Sequence, residues 1–205
     1  MQALSQPVNA LLRRLPAWPL YPLGLLPAAW LWYLGLSGGL GPEPIKALEQ
    51  ELGKTALQLL TAGLCVTPLR RFLGVNLIRY RRAIGLLAFY YVLMHLAVWL
   101  LLDLGDLGRI WADIVKRPFI TLGFAAFVAM LPLALSSNDW AVRRLGALRW
   151  QRLHRLVYGI ALAGAVHFLW LTKSKAWAVE PWAYLAAIAA LLALRLWPKR
   201  RRAPA

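Results

Sequence analysis

The sequence predicts an all-α membrane protein, a six-transmembrane-helix bundle with both termini on the cytoplasmic side, and three observations predict it. Of 205 residues, 60 % are hydrophobic and only 16 % charged, with a mean hydropathy of +0.56 and 11 tryptophans; soluble domains carry about a quarter charged residues. Six apolar segments reach the roughly 17–25 residues that a helix needs to cross a hydrocarbon core of about 30 Å. The net charge of +16 collects on one side of those segments.

Residues 1–16 form a cytoplasmic N-terminal segment, and the first span covers about 17–36. That span is too long and too interrupted by proline for the core of a signal peptide, and no small-residue cleavage pattern follows it, so it is expected to stay attached. "SGGLGPEPI" after it is a turn and loop. The second span, about 53–69, is the shortest, and Pro68 belongs at its end rather than its interior. The third covers about 83–103. Pro118 opens the fourth, about 118–136, and Pro181 opens the sixth, about 181–197, at the position where a helix tolerates the missing N–H. The fifth covers about 153–171, and residues 198–205 form a basic tail. The spans together make one transmembrane domain, 17–197, without a repeat of solenoid or propeller period.

Lys and Arg near span ends set orientation. On one side lie Arg13, Arg14, Arg70, Arg71, Arg79, Arg81, Arg82, Arg143, Arg144, Arg149, Arg152, Arg155, Arg195, Lys199, Arg200, Arg201 and Arg202, against a single acid, Asp139. On the other, Lys46, Lys54, Arg109, Lys116, Arg117, Lys173 and Lys175 are balanced by Glu43, Glu49, Glu51, Asp103, Asp106, Asp113 and Glu180. The first side is therefore cytoplasmic, where the arginines meet anionic lipid and could also form a docking surface for a soluble donor. Nucleic acid is not expected as a partner, because there is no zinc-finger spacing, phosphate-cradling glycine loop or basic stripe with interleaved aromatics. The single cysteine, Cys65, sits in an apolar run and reads as a packing thiol.

Two of the three histidines fall in "RWQRLHRLVYGIALAGAVHFLW", residues 149–170. An ionisable group in a membrane span is by default a site in need of a partner. His95 lies 13 residues above Arg82 and 8 below Asp103, which at a rise of about 1.5 Å per residue puts it roughly 12 Å from the outer end of its span. His167 lies 6 residues below Lys173, about 9 Å from its outer end. Two neutral imidazoles at matching depth on different helices are the arrangement that six-coordinates a haem iron, each giving one nitrogen and needing no charge. Zinc would want three or four protein ligands, a proton relay would want acids along the path, and the bland alternative is hydrogen bonding between helices. His154 is about 20 Å lower than His167 and points about 140° away around a straight helix, so it cannot share that iron. It is either the ligand of a second, inner haem or an interfacial residue bonding locally, and Arg81 and Arg82 occupy the matching level of the third span. Trp99 and Trp170, near outer span ends, read as interfacial belt residues.

The segments "GGLGPEPIKAL", "GKTALQLL", "TPLRR", "RRAIGLLAFYYVLMHL", "KRPFITLG" and "LGALRWQRLHRLVYGIALAGAVHFLW", in that order and spacing, resemble the MsrQ family, formerly YedZ, over about residues 24–197. These are haem-binding membrane subunits of the bacterial periplasmic methionine sulfoxide reductase system, within the wider ferric-reductase-like transmembrane group. The resemblance implies a b-type cytochrome of the inner membrane, holding one haem b or two, that takes electrons from the quinone pool. It would pass them to a periplasmic molybdopterin subunit, MsrP, which repairs methionine sulfoxide in oxidised proteins. It further implies FMN binding and electron supply from a cytosolic flavin reductase, and it maps the family histidines onto His95, His154 and His167. The chain would be an electron-transfer subunit rather than the catalytic one, with no catalytic residue of its own. It departs from the wider group's four-histidine pattern at Arg81 and Arg82, and it lacks an appended FAD/NAD(P)H domain, so it is not expected to oxidise a pyridine nucleotide unaided. Two readings compete: a quinone-linked cytochrome b serving another periplasmic acceptor, and a haem-free membrane anchor or transporter. No residue pattern places an FMN or quinone pocket.

Overall fold

The computed structural model describes residues 2–172 and 178–196, and these are helical throughout apart from short connections. The expected tail 198–205, with Lys199, Arg200, Arg201 and Arg202, lies outside the described residues, as do Lys173 and Lys175. Ten α-helices follow in order: α1 Gln2–Arg14, α2 Leu20–Leu36, α3 Pro44–Pro68, α4 Arg81–Val98, α5 Leu107–Lys116, α6 Pro118–Leu135, α7 Asp139–Leu145, α8 Ala147–His154, α9 Leu156–Leu171 and α10 Val179–Leu196. Pro44 and Pro118 stand in the first turns of α3 and α6, and Pro68 closes α3, because a missing N–H costs nothing at a helix start and interrupts its interior.

Among the described residues three helical stretches are long and apolar enough to cross a membrane: 78–104, 118–135 and 147–171; α2 is apolar but shorter. α3 is not among them, and its composition explains why. It starts nine residues before the expected span and carries Lys46, Glu49, Gln50, Glu51 and Lys54 in its first turns. Its buried stripe, Leu48, Leu52, Ala56, Leu57, Leu60 and Leu64, recurs at helical spacing and faces protein. Each of the three hydrophobic clusters takes residues from α3, shared with α2 and α4, with α9 and α10, or with α4, α6 and α9. α3 is therefore the hub, and the small residues Ala56, Ala88, Ala161 and Ala165 let its neighbours approach closely.

Polar side chains tie the outer helices to this hub. The buried Tyr91 hydroxyl donates to the Gly24 carbonyl at 2.8 Å and accepts from the Ala28 N–H at 3.1 Å, bridging two groups one turn apart beside Pro27. Arg195 reaches from α10 to the Leu64 carbonyl at 3.1 Å and lies over the Tyr158 ring at 4.5 Å, so this expected topology cation is engaged inside the protein. At the opposite end Lys54 pairs with Glu180 at 2.7 Å, joining α3 to α10. α1 is held by Asn9, which donates to the Gly74 carbonyl and accepts from the Asn76 N–H, both at 2.8 Å.

Two helices, α5 and α7, lie between the expected spans. α5 is capped by Asp106, whose carboxylate accepts the Arg109 N–H at 2.9 Å, and it exposes Leu107, Trp111 and Val115 along one side. α7 is capped by Asn138, whose side chain accepts the Ala141 N–H at 2.8 Å. Between α4 and α5 the chain widens into a π-helical turn, Trp99–Leu104, ended by Gly105 at φ +61°, a conformation that favours glycine. Trp99 is 7 % exposed and packed inside the bundle, which corrects its expected place in an interfacial belt; Trp170, 44 % exposed, keeps an outward position.

Candidate functional site

His95 stands in the last turn of α4 and His167 in the second half of α9, and the two rings meet across the bundle. His95 Nδ1 lies 2.8 Å from the Glu49 carbonyl oxygen of α3; His167 Nδ1 lies 2.7 Å from the Phe119 carbonyl oxygen of α6. A carbonyl only accepts, so each Nδ1 carries the ring proton and each Nε2 keeps its lone pair. Metal-binding imidazoles are commonly prepared in this way, one nitrogen fixed by a carbonyl and the other left for the metal.

The ring centroids are 6.4 Å apart with planes crossing at 78°. Two metal–nitrogen bonds of about 2 Å, and about 1 Å from each nitrogen to its ring centre, put coaxial ligands roughly 6 Å apart. The spacing thus fits one metal ion between the rings. Around them α3, α4, α6 and α9 enclose a cavity with walls that include Val92, Phe127, Met130, Ile160 and Phe168. Lys46, Lys54, Glu49, Asp103 and Arg117 line its polar end. Burial pushes the Glu49 carboxyl up to about 7, and the nearby Asp103 adds to the rise. Lys46 is held protonated beyond its ordinary value by its 2.8 Å bond to Glu43.

His154 is arranged differently. Its ring stacks on Trp150 with centroids 3.9 Å apart and planes at 24°, and its Nε2 lies 3.0 Å from the Ser136 hydroxyl. That hydroxyl gives its proton to the Pro132 carbonyl at 2.6 Å, so it accepts from His154 Nε2–H. Trp150 Nε1 donates to the Ser136 carbonyl at 2.8 Å and completes the knot between α6 and α8. A second cavity adjoins it, lined by Arg79, Arg81, Arg82, Arg155 and Tyr158 among apolar residues. Arg82 is paired with Asp139 at 2.6 Å.

The depth match expected of His95 and His167 is therefore realised as contact, and His154 stays apart from both, as its position on the helix implied. Among the described residues no cluster of three or more His, Cys, Asp or Glu could hold a metal ion. Sequence reasoning missed Gly53 and Gly123, which face the His95 and His167 rings. The one signal they offered was a glycine inside a helical segment at histidine depth.

Comparison with known proteins decides the family. Residues 52–165 match the ferric reductase like transmembrane component. A Brucella anthropi protein named "Protein-methionine-sulfoxide reductase heme-binding subunit MsrQ" is 50 % identical over 180 residues, covering 87 % of this chain and 80 % of that protein. The chain belongs to the MsrQ family. Proteins of the same name from Brucella ovis and Brucella canis are each 53 % identical over 181 residues, again covering 87 % of this chain and 80 % of theirs. No solved structure matches. The ferric-reductase-like match runs from α3 through most of α9, so it includes His95 and His154 and stops two residues short of His167.

Proposed function

We propose that this chain is the haem-binding, electron-transferring membrane subunit of a protein-methionine-sulfoxide reductase, with His95 and His167 as axial ligands of one haem b. The observation that carries this is the pair of free Nε2 atoms on rings 6.4 Å apart, each ring fixed through Nδ1. The residues present fit the group: two neutral nitrogen donors, apolar walls for a macrocycle, and Lys46, Lys54 and Arg117 at the polar end for its carboxylates. When bound, haem supplies one-electron chemistry, while the protein supplies ligands, burial and orientation.

In this reading six spans form one inner-membrane domain, 17–197, with both termini cytoplasmic, and the centre lies toward the outer face. A periplasmic molybdopterin partner, MsrP, can then dock within reach of it. The quinone pool is the donor that placement favours, because a lipid-soluble quinol crosses the remaining thickness by diffusion, whereas a cytosolic flavin reductase would need an inner relay. FMN enters this reading through family resemblance alone and has no assigned residues. A different periplasmic acceptor would use the same geometry, and partner capture with the purified subunit separates the two.

A second centre is the alternative that one observation favours: the inner cavity brings His154 together with Arg79, Arg81, Arg82 and Arg155. To serve there, His154 Nε2 would have to exchange Ser136 for iron. The test is haem per protein, with reduced-minus-oxidised spectra, on the detergent-purified wild type and on His95→Ala, His167→Ala and His154→Ala. One low-spin spectrum lost with His95 or His167 and kept with His154 is expected. Wild-type protein without a Soret band would overturn the proposal in favour of a haem-free anchor.

A further inference from the structure

The two ligand histidines sit in matching surroundings. The carbonyl that fixes His95 belongs to Glu49, and the residue one turn later on the same helix is Gly53; the carbonyl that fixes His167 belongs to Phe119, and one turn later comes Gly123. A Cβ built on Gly53 would lie 3.0 Å from His95 Nδ1 and 3.2 Å from its Cε1. A Cβ built on Gly123 would lie 2.9 Å from both Nδ1 and Cε1 of His167. The approach at Gly123 is closer than packed atoms tolerate, and the one at Gly53 is tight enough that the ring it faces must give way slightly. Helical glycines elsewhere differ in kind: a Cβ on Gly85 or Gly159 meets nothing within 4 Å, one on Gly63 of α3 meets Ile84 at an ordinary 3.7 Å, and one on Gly24 of α2 would meet only the flexible Leu87 side chain, at 2.5 Å.

We propose that Gly53 and Gly123 are positioning residues, paired notches in α3 and α6 that seat each imidazole flat against a helix so that Nδ1 reaches the carbonyl and the two ring planes stay crossed. The inference rests on the haem reading of His95 and His167. Each notch acts on a different ligand, so the crossing angle of 78° is set by two helices, α3 and α6, that carry no ligand themselves. A methyl group at either notch must tilt or turn the ring it faces. The carbonyl bond is then stretched, and the ligand plane seen by the iron rotates. The low-spin EPR signal of a ferric bis-imidazole centre depends on the angle between its ligand planes, and crossed planes give the more anisotropic form.

The experiment compares Gly53→Ala, Gly123→Ala and, as control, Gly63→Ala in detergent-purified protein. Haem content, low-spin EPR and midpoint potential are measured on each. The expected result is a displaced EPR signal with a shifted potential, or partial haem loss, in both notch variants, larger for Gly123→Ala, with Gly63→Ala unchanged. Wild-type EPR and potential in a folded notch variant overturn the inference. If a notch variant loses its haem altogether, a double-mutant cycle on the apoprotein decides. Gly53→Ala should lower Tm by about 2–4 °C or more in the otherwise wild-type chain, and by much less in His95→Ala, where the ring is gone. Equal losses in the two backgrounds overturn the inference. A wild type without haem would sink the haem reading, whereas a haem-loaded wild type with indifferent notches sinks this inference alone.

Discussion

The two ends of this bundle, outer at His95 and His167 and inner at His154 in the proposed topology, each hold histidine among aromatic residues, and they use it in opposite ways. At the outer site His95 and His167 spend Nδ1 on backbone carbonyls and keep Nε2 free, with their ring centroids 6.4 Å apart. At the inner site His154 spends Nε2 on Ser136 and lays its face on Trp150. A glycine stands opposite each outer ring, whereas an indole covers the inner one. Availability for a metal thus depends less on depth or burial than on which ring nitrogen the surrounding chain has already taken.

The largest effect that would erase this contrast is spectral. His95→Ala and His167→Ala should each remove the same low-spin haem signal entirely, while His154→Ala leaves it; retention in both outer variants would end the pairing. Next comes Ser136→Ala, which frees His154 Nε2 and strands its proton in a half-buried place. A loss of about 1 kcal/mol or more is expected, seen as a lower Tm with haem per protein unchanged. A gain of haem in Ser136→Ala would instead mean that the serine competes with iron, and the two ends would be alike. Trp150→Leu removes a stacked ring and the Nε1 donor to the Ser136 carbonyl, and a comparable drop of about 1 kcal/mol is expected, again without spectral change.

The smallest effect concerns Arg82 and Asp139. This exposed pair holds the Asp139 carboxyl below its ordinary value, mainly through the Arg82 hydrogen bond. A depressed folded-state carboxyl contributes stability that is present above the unfolded value and lost as pH falls through the folded one. Solvent screens the pair, so Asp139→Asn should barely alter Tm at neutral pH and should remove only a shallow acid dependence. A large loss at neutral pH would show that this pair braces the inner cavity.

Much of the molecule was legible beforehand for a local reason. Helical class follows from apolar runs and proline positions, and the agreement in level between His95 and His167 follows from a constant rise per residue along each helix. The charge asymmetry is likewise a matter of position along the chain. The amphipathic α5 and the short α7 carry a local signal in their caps, Asp106 and Asn138, which a search for membrane-length apolar runs passes over.

The order of residues along the chain accordingly settles what is axial: which segments are helical, how far along each helix a histidine stands, and which end carries the arginines. What lies beside each residue came from tertiary packing. Packing made α3 the hub despite its charged first turns, drew Trp99 inside, gave His154 to Ser136, and laid the Glu49 and Phe119 carbonyls and the Gly53 and Gly123 notches against the two outer rings. The physical reason is that rise per residue is a property of one helix, whereas the choice between Nδ1 and Nε2 depends on a backbone carbonyl contributed by another.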